Sequence, residues 1–148
     1  MTRPVAAIDL GTNTARLLIA TKDPYHQILL YRIITRLGGG FKRERGLSGE
    51  AQQRSVAALT KFAHEMEKHQ VEKVRAVATS AVRDAVNGRE FCARVQGETG
   101  IQLEVIDGDE EAVLTLRGVA SILDDRSGDL AVFDVGGGST EYTLAQGS

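Results

Sequence analysis

The chain has 148 residues, 42% of them hydrophobic and 26% charged, with a net charge of −2, which is enough for one ordinary globular domain with a real core and leaves no electrostatic case for nucleic-acid binding. No apolar run approaches the ~20 residues of a membrane helix, and Met1-Thr2-Arg3-Pro4 leads straight into a strand-like run rather than a signal peptide. Tryptophan is absent, which argues against a base-stacking platform, and the single Cys92 excludes an internal disulfide and fits a reducing cytoplasm.

Val5-Ala6-Ala7-Ile8 is a short apolar run ending at Asp9, followed by the turn-like set Leu10-Gly11-Thr12-Asn13-Thr14. Ala15 to Ala20 reads as a second strand, Lys22-Asp23-Pro24-Tyr25 as a turn, and Gln27 to Leu37 as a third strand. The connections are too short for parallel crossovers, so these three strands form an antiparallel meander. Gly38-Gly39-Gly40-Phe41-Lys42-Arg43-Glu44-Arg45-Gly46 is a glycine-flanked basic loop. A solvated surface loop is the simpler reading, with anion binding the alternative.

Ser48 is a good N-cap and Glu50 an acid in the first turn. Val56, Leu59, Phe62, Ala63 and Met66 recur at helical spacing, so a helix runs to about His69 with its stripe in the core. His64 and His69 lack the i,i+4 spacing and have no clustered cysteine or histidine, so neither reads as a metal ligand. Val74 to Ala78 is a short buried strand, with Thr79-Ser80 capping a helix through Ala81 to Ala85. A strand entering a helix N-terminus offers N–H groups to an anion; Arg83 either reaches that anion or pairs with Asp84 on the surface. Asn87-Gly88 breaks the chain, and Arg89 to Glu98 is a further helix with Phe91 and Val95 inward and Cys92 a further inward candidate. Nothing near Cys92 marks it as a nucleophile. Gln102 to Ile106 is a strand, and Asp107 to Ala112 leads into a helix carrying Val113, Leu114, Leu116, Val119 and Ile122. The acids Asp109, Glu110 and Glu111 complement a helix dipole. Glu110 and Glu111 point in different directions, so at most one faces a given cleft. Asp124 to Asp129 is a polar turn.

Leu130 to Phe133, Asp134-Val135-Gly136-Gly137-Gly138-Ser139-Thr140-Glu141 and Tyr142-Thr143-Leu144 read as strand, glycine turn, strand. Glycines permit close approach and unusual backbone angles, and such a turn can aim several N–H groups at an anion. A hairpin turn whose glycines serve only geometry explains the stretch as well. The stretch echoes the opening: Ala7-Ile8-Asp9-Leu10-Gly11-Thr12 and Val132-Phe133-Asp134-Val135-Gly136-Gly137 share apolar-apolar-Asp-apolar-Gly, which suggests a duplicated architecture. A meander followed by alternating strands and helices is an α/β mixed sheet with helical layers.

Four stretches together carry a resemblance. Ile8 to Thr14 with Arg16-Leu17 looks like a first phosphate loop, and Ala78-Thr79-Ser80-Ala81-Val82-Arg83 like a strand-to-helix segment with its arginine. Ile106 to Ala112 looks like a paired-glutamate segment, and Asp134 to Glu141 like a second phosphate loop. In this order they resemble the N-terminal part of the exopolyphosphatase / guanosine pentaphosphate phosphohydrolase family, within the superfamily of actin-like ATPases, sugar kinases and heat-shock chaperones.

The resemblance implies a ribonuclease-H-like mixed sheet, the meander extended by parallel strands and flanked by helices. It implies a phosphatase domain over residues 1–125, with 126–148 beginning a second domain, and a cleft with one phosphate loop on each side. Family members continue well beyond this length, so the chain is expected to be an incomplete catalytic unit whose last hairpin has lost sheet partners.

The implied reaction releases terminal phosphate from polyphosphate, or the 5′ γ-phosphate from guanosine pentaphosphate. Gly11, Thr12, Asn13, Thr14, Gly136, Gly137, Gly138, Ser139 and Thr140 would supply N–H and hydroxyl donors, and Arg16 and Arg83 guanidinium contacts. Asp9, Asp134 and Glu141 are the candidate ligands of a divalent cation, Mg2+ first. Glu111, rather than its neighbour Glu110, fits the base that activates water. The alternatives are an ATP-dependent kinase or ATPase of the same superfamily, and a non-catalytic polyphosphate or alarmone sensor. A cytoplasmic location and a homodimer fit the family.

Overall fold

The computed structural model describes residues 3–42, 44–123 and 127–146. Arg43 of the basic loop and Asp124 to Arg126, where the expected domain boundary falls, lie outside the described residues. Among the described residues, seven strands and four helices follow in the order β1 (Val5–Leu10), β2 (Thr14–Lys22), β3 (Tyr25–Ile34), α1 (Gly49–Lys68), β4 (Lys73–Ala78), α2 (Ser80–Arg83), α3 (Gly88–Thr99), β5 (Leu103–Val105), α4 (Gly108–Ala120), β6 (Leu130–Val135) and β7 (Thr140–Ala145). Five strands form one sheet in the order β3-β2-β1-β4-β5, and β6-β7 form a separate two-stranded sheet. β1, β2 and β3 pair antiparallel while β4 and β5 join in parallel. This is the expected ribonuclease-H-like mixed sheet, a meander extended by parallel strands.

Strand alternation decides which residues meet solvent. In β1, Ala6, Ile8 and Leu10 turn inward, so Asp9 must face the other way. In β2, Ala15, Leu17 and Ile19 turn inward and Arg16 stands beside Asp9 in the register. The inward faces pack with Leu59 and Phe62 of α1 and Phe91 and Val95 of α3 into one core. Each fully buried large side chain contributes about 1.5–3 kcal/mol. α1 starts as expected: Ser48 is the N-cap, and its Oγ accepts from the Ala51 N–H.

Several boundaries differ from expectation. β3 ends at Ile34 rather than Leu37, because the Thr35 and Arg36 N–H groups leave the ladder and both donate to the Asn13 carbonyl, at 3.0 and 2.9 Å. α2 spans Ser80–Arg83, with Thr79 as N-cap but no side-chain capping bond. The Ser80 hydroxyl lies 3.0 Å from Thr12 Oγ1 instead. β5 is only Leu103–Val105, since the Ile106 N–H bonds to the Ala78 carbonyl at the mouth of the neighbouring strand. The β6-β7 hairpin is ordered as paired strands, with Asp134 opposite Glu141. Its outward residues Phe133, Val135, Tyr142 and Leu144 are exposed.

Candidate phosphate-binding cleft

The two glycine loops meet. A β-carbon on Gly137 would collide with the Asn13 amide, and one on Gly138 would lie 2.6 Å from Thr12 Oγ1 and 2.8 Å from Ser80 Oγ. Glycine at these positions suits the close approach of the second loop's backbone to the side chains of Asn13, Thr12 and Ser80. The first loop closes by an N–H from Gly11 to the Thr14 carbonyl at 3.0 Å, the second by one from Gly136 to the Ser139 carbonyl at 2.9 Å. The echo in sequence is an echo in geometry.

Beside this meeting point lies a cleft of about 230 Å3. Its walls bring together Asp9, Gly11, Thr12, Asn13, Thr14 and Arg16 from the first hairpin with Asp134, Gly136, Gly137 and Ser139 from the second. Glu111 of α4 also lines it, and so do Thr79, Ser80 and Val135, which sequence reasoning had not placed at the site. The sequence marks Thr79 and Ser80 as caps at a helix N-terminus open to an anion, and their place at the C-terminal end of a central strand brings them to the cleft. Gly138 lines an adjoining cavity with Thr12 and Ser80. Thr140, Glu141, Arg83 and Glu110 do not line the cleft.

The two glutamates part company, as helical geometry requires of neighbours about 100° apart. Asp107 caps α4 by accepting from the Glu110 N–H at 2.8 Å. The Glu110 side chain turns to Arg75, whose Nη2 donates to Glu110 Oε1 at 2.5 Å. That same guanidinium grips Glu104 through two bonds, Nε to Oε2 at 2.9 Å and Nη2 to Oε1 at 3.0 Å, and these hold the Glu104 carboxyl below its usual range. Of the pair, only Glu111 reaches the cleft.

Glu111 is poorly matched to its surroundings. Its side chain is 17% exposed, and its Oε2 has no hydrogen-bond partner. Arg83 Nη1 stands 3.5 Å from that oxygen, but the same group is committed to the Ile106 carbonyl at 3.1 Å, so the contact is electrostatic. Arg83 Nε also approaches Asp84 Oδ1 at 3.4 Å, the surface pairing of the two readings. Burial raises the Glu111 pKa, with repulsion from Glu141 and Asp134 adding to it and Arg83 opposing. Asp9 is also raised, by burial first and by Asp134, against the pull of Arg16 at 3.4 Å.

Asp134 helps to raise the pKa of both Asp9 and Glu111, so these carboxylates repel one another. Asp134 and Glu141 stand directly opposite on the inward face of the hairpin, a pairing that is unfavourable for like charges. The Thr115 hydroxyl donates to Asp134 Oδ2 at 3.0 Å and ties the hairpin to α4. Among the described residues no three His, Cys, Asp or Glu side chains close into a metal cage. Mg2+ does not need one: it keeps several waters and takes one or two carboxylates plus substrate oxygens. Of the three expected ligands, Asp9 and Asp134 line the cleft, while Glu141 stands opposite Asp134 on the hairpin and does not. Burial pushes the Cys92 thiol up, as suits an inert half-buried side chain.

Known proteins resemble this chain in sequence and fold. The model of the Ppx/GppA phosphatase family matches residues 18–148. Exopolyphosphatase 2 of Mycobacterium tuberculosis is 41% identical over 153 residues, covering 96% of this chain and 48% of that protein. The bifunctional 3-dehydroquinate synthase/phosphatase of Fusobacterium nucleatum is 37% identical over 149 residues, covering 94% of this chain and 22% of that protein. A solved exopolyphosphatase from Cytophaga hutchinsonii superposes with a TM-score of 0.93 at 34% identity, over 97% of this chain and 47% of that one. The chain thus spans about half the length of its exopolyphosphatase relatives and less of the bifunctional one.

Proposed function

The chain belongs to the Ppx/GppA phosphatase family, and from that premise we propose that it carries the phosphate site of a phosphoanhydride hydrolase acting on inorganic polyphosphate. One observation carries the reading. Two glycine loops meet over a cleft lined by Glu111, whose Oε2 is buried with no hydrogen-bond partner. A buried carboxylate oxygen left without a hydrogen bond is costly even beside Arg83, and a carboxylate with spare acceptor capacity at a phosphate cleft suits a general base for water.

In this mechanism the loop amides and the hydroxyls of Thr12, Thr14 and Ser139 hold the terminal phosphate, with Arg16 offsetting its charge. Glu111 accepts a proton from water as the water oxygen bonds to the terminal phosphorus. The bridging P–O bond breaks and its electron pair leaves with the shortened chain, while inorganic phosphate departs. A raised pKa makes Glu111 a stronger base than an ordinary carboxylate. A divalent cation, Mg2+ first, would be held by Asp9 and Asp134 at the cleft, with Glu141 behind Asp134 on the hairpin, and would offset the charge of the phosphoryl oxygens. Arg83 positions Glu111 rather than touching phosphate in this geometry. Guanosine pentaphosphate offers the same terminal group and is the second substrate of the reading. Because the chain spans half of its relatives, full turnover belongs to the full-length protein, in the cytoplasm and as a dimer.

Phosphate release from polyphosphate, guanosine pentaphosphate and ATP, each with magnesium, tests this reading in the full-length protein. Glu111→Gln is expected to fold normally and lose about 10²–10⁴-fold in rate. Full activity in that variant removes Glu111 from the mechanism. Release from ATP alone points instead to a kinase or ATPase, and release from none of the three to a sensor.

A further inference from the structure

A second groove, of about 430 Å3, adjoins the cleft and shares Thr12, Asn13, Thr14 and Gly137 with it. Its own contributions are Ile34, Arg36, Gly38 and Gly39. Among the described residues no carboxylate lines it, in contrast to the cleft, so they offer an anion no like charge and no acid or base for chemistry. No aromatic side chain lines it either, so it has no stacking surface for a nucleobase.

Arg36 is held there at a cost. Its φ is +48°, in the left-handed region, where a residue with a β-carbon pays about 1–2 kcal/mol relative to the right-handed one. Glycine is the default at such a position, and three glycines stand nearby at 38–40; position 36 nevertheless carries an arginine. The surrounding bonds over-determine the turn. The Arg36 N–H donates to the Asn13 carbonyl at 2.9 Å, and the Gly38 N–H to the Thr12 carbonyl at 2.9 Å. From α1, Arg54 donates Nε to the Thr35 carbonyl at 3.0 Å and Nη2 to the Arg36 carbonyl at 3.3 Å. The turn is thereby stapled to the first phosphate loop. Strain that persists because its surroundings enforce it is a marker of function. The Arg36 guanidinium makes no salt bridge with an acid among the described residues.

We propose that this groove holds the second and third phosphates of a linear phosphate chain whose terminal phosphate occupies the cleft, with Arg36 as the positioning residue that grips them. The proposal rests on the reading of the cleft as a terminal-phosphate site. It assigns the discrimination between a chain of phosphates and a lone phosphate to a residue outside the catalytic carboxylates. Arginine suits the task because its planar fork takes two phosphate oxygens at once.

Calorimetric titration of the chain with tripolyphosphate and with inorganic phosphate, in the presence of magnesium, tests it. The unsubstituted chain should bind tripolyphosphate more tightly than phosphate. Arg36→Gly removes the side chain and relieves the backbone, so the fold is preserved. It should lower tripolyphosphate affinity on the order of ten-fold and leave phosphate affinity unchanged. Arg36→Lys, which keeps the charge without the fork, should fall between. Undiminished tripolyphosphate affinity in Arg36→Gly overturns the proposal, as does an equal loss for both ligands. Failure of the unsubstituted chain to bind either ligand overturns the proposal together with the cleft reading. Binding that depends on Arg36 in a full-length protein that releases no phosphate overturns the hydrolase reading alone.

Discussion

The two glycine loops share a sequence pattern but are held in opposite ways. The first grows from β1 and β2 in the middle of the five-stranded sheet, with Leu10 and Ala15 fully buried at its two ends. Its outer side is bonded to the turn at residues 35–38 through the carbonyls of Thr12 and Asn13. The second grows from a two-stranded sheet with one face open, where Phe133 is 66% and Val135 78% exposed. Two strands alone are marginal in water. What holds this hairpin is α4, through Thr115 and Asp134, and the first loop, through Asn13 and Gly137. One loop is a fixed wall; the other leans on it.

The largest effect that could break this contrast is in the packing beneath each loop. Leu17→Ala, in the fully buried inward face of β2, should destabilise the chain by about 2–5 kcal/mol. Leu144→Ser, on the open face of the hairpin at 68% exposure, should change stability by no more than about 0.5 kcal/mol. Urea unfolding of the two variants measures both. A comparable cost for Leu144→Ser would mean that the open face is packed in solution.

A smaller effect separates the loops themselves. A β-carbon at Gly11 would meet only the Thr14 carbonyl, at an ordinary 3.4 Å, whereas one at Gly137 would displace the Asn13 side chain. Gly11→Ala should therefore leave phosphate affinity nearly unchanged, and Gly137→Ala should weaken it several-fold. Asn13→Ala removes the obstacle. In a double-mutant cycle the Gly137→Ala and Asn13→Ala changes should couple by on the order of 1 kcal/mol in phosphate binding. Additive effects would mean that the loops do not touch in solution.

Much of this was legible in the residues because it is local. Ser48 and the stripe from Val56 to Met66 announce α1, since a cap and a 3.6-residue period are properties of a short window. The strand alternation that turns Asp9 away from Ile8 and Leu10 is equally local. The divergence of Glu110 and Glu111 was readable from helical geometry, but which of them reached the cleft was not. That choice is made by Arg75 on β4, which takes Glu110 and is remote from it in sequence. Arg36 escaped notice for a related reason. Its backbone angle is set by Asn13 and Arg54, and no property of the run Thr35-Arg36-Leu37 signals it. Thr79 and Ser80 look like ordinary caps until the second loop is laid over them. In each case the deciding contact joins segments far apart along the chain, where the local pattern carries no register.

The smallest effect concerns the group between the two loops. Glu111 is raised by burial and by Glu141 and Asp134, so folding disfavours its ionised form. In the unfolded chain this carboxyl titrates near its ordinary value of 4.5. Below that value it is protonated in both states and costs nothing. As pH rises from there through the raised folded value, the unfolded form ionises first and the folded state loses stability. The full penalty is present once both forms are ionised. Glu111→Gln cannot ionise and escapes it. The variant should melt on the order of a few degrees higher than the unsubstituted chain at neutral pH and show no gain near about pH 4, as followed by circular dichroism. A gain equal at both pH values would assign the effect to packing rather than charge. The predicted pH dependence, with activity lost in the same variant, would mean that the carboxylate joining the fixed loop to the leaning one is kept for chemistry at the expense of stability.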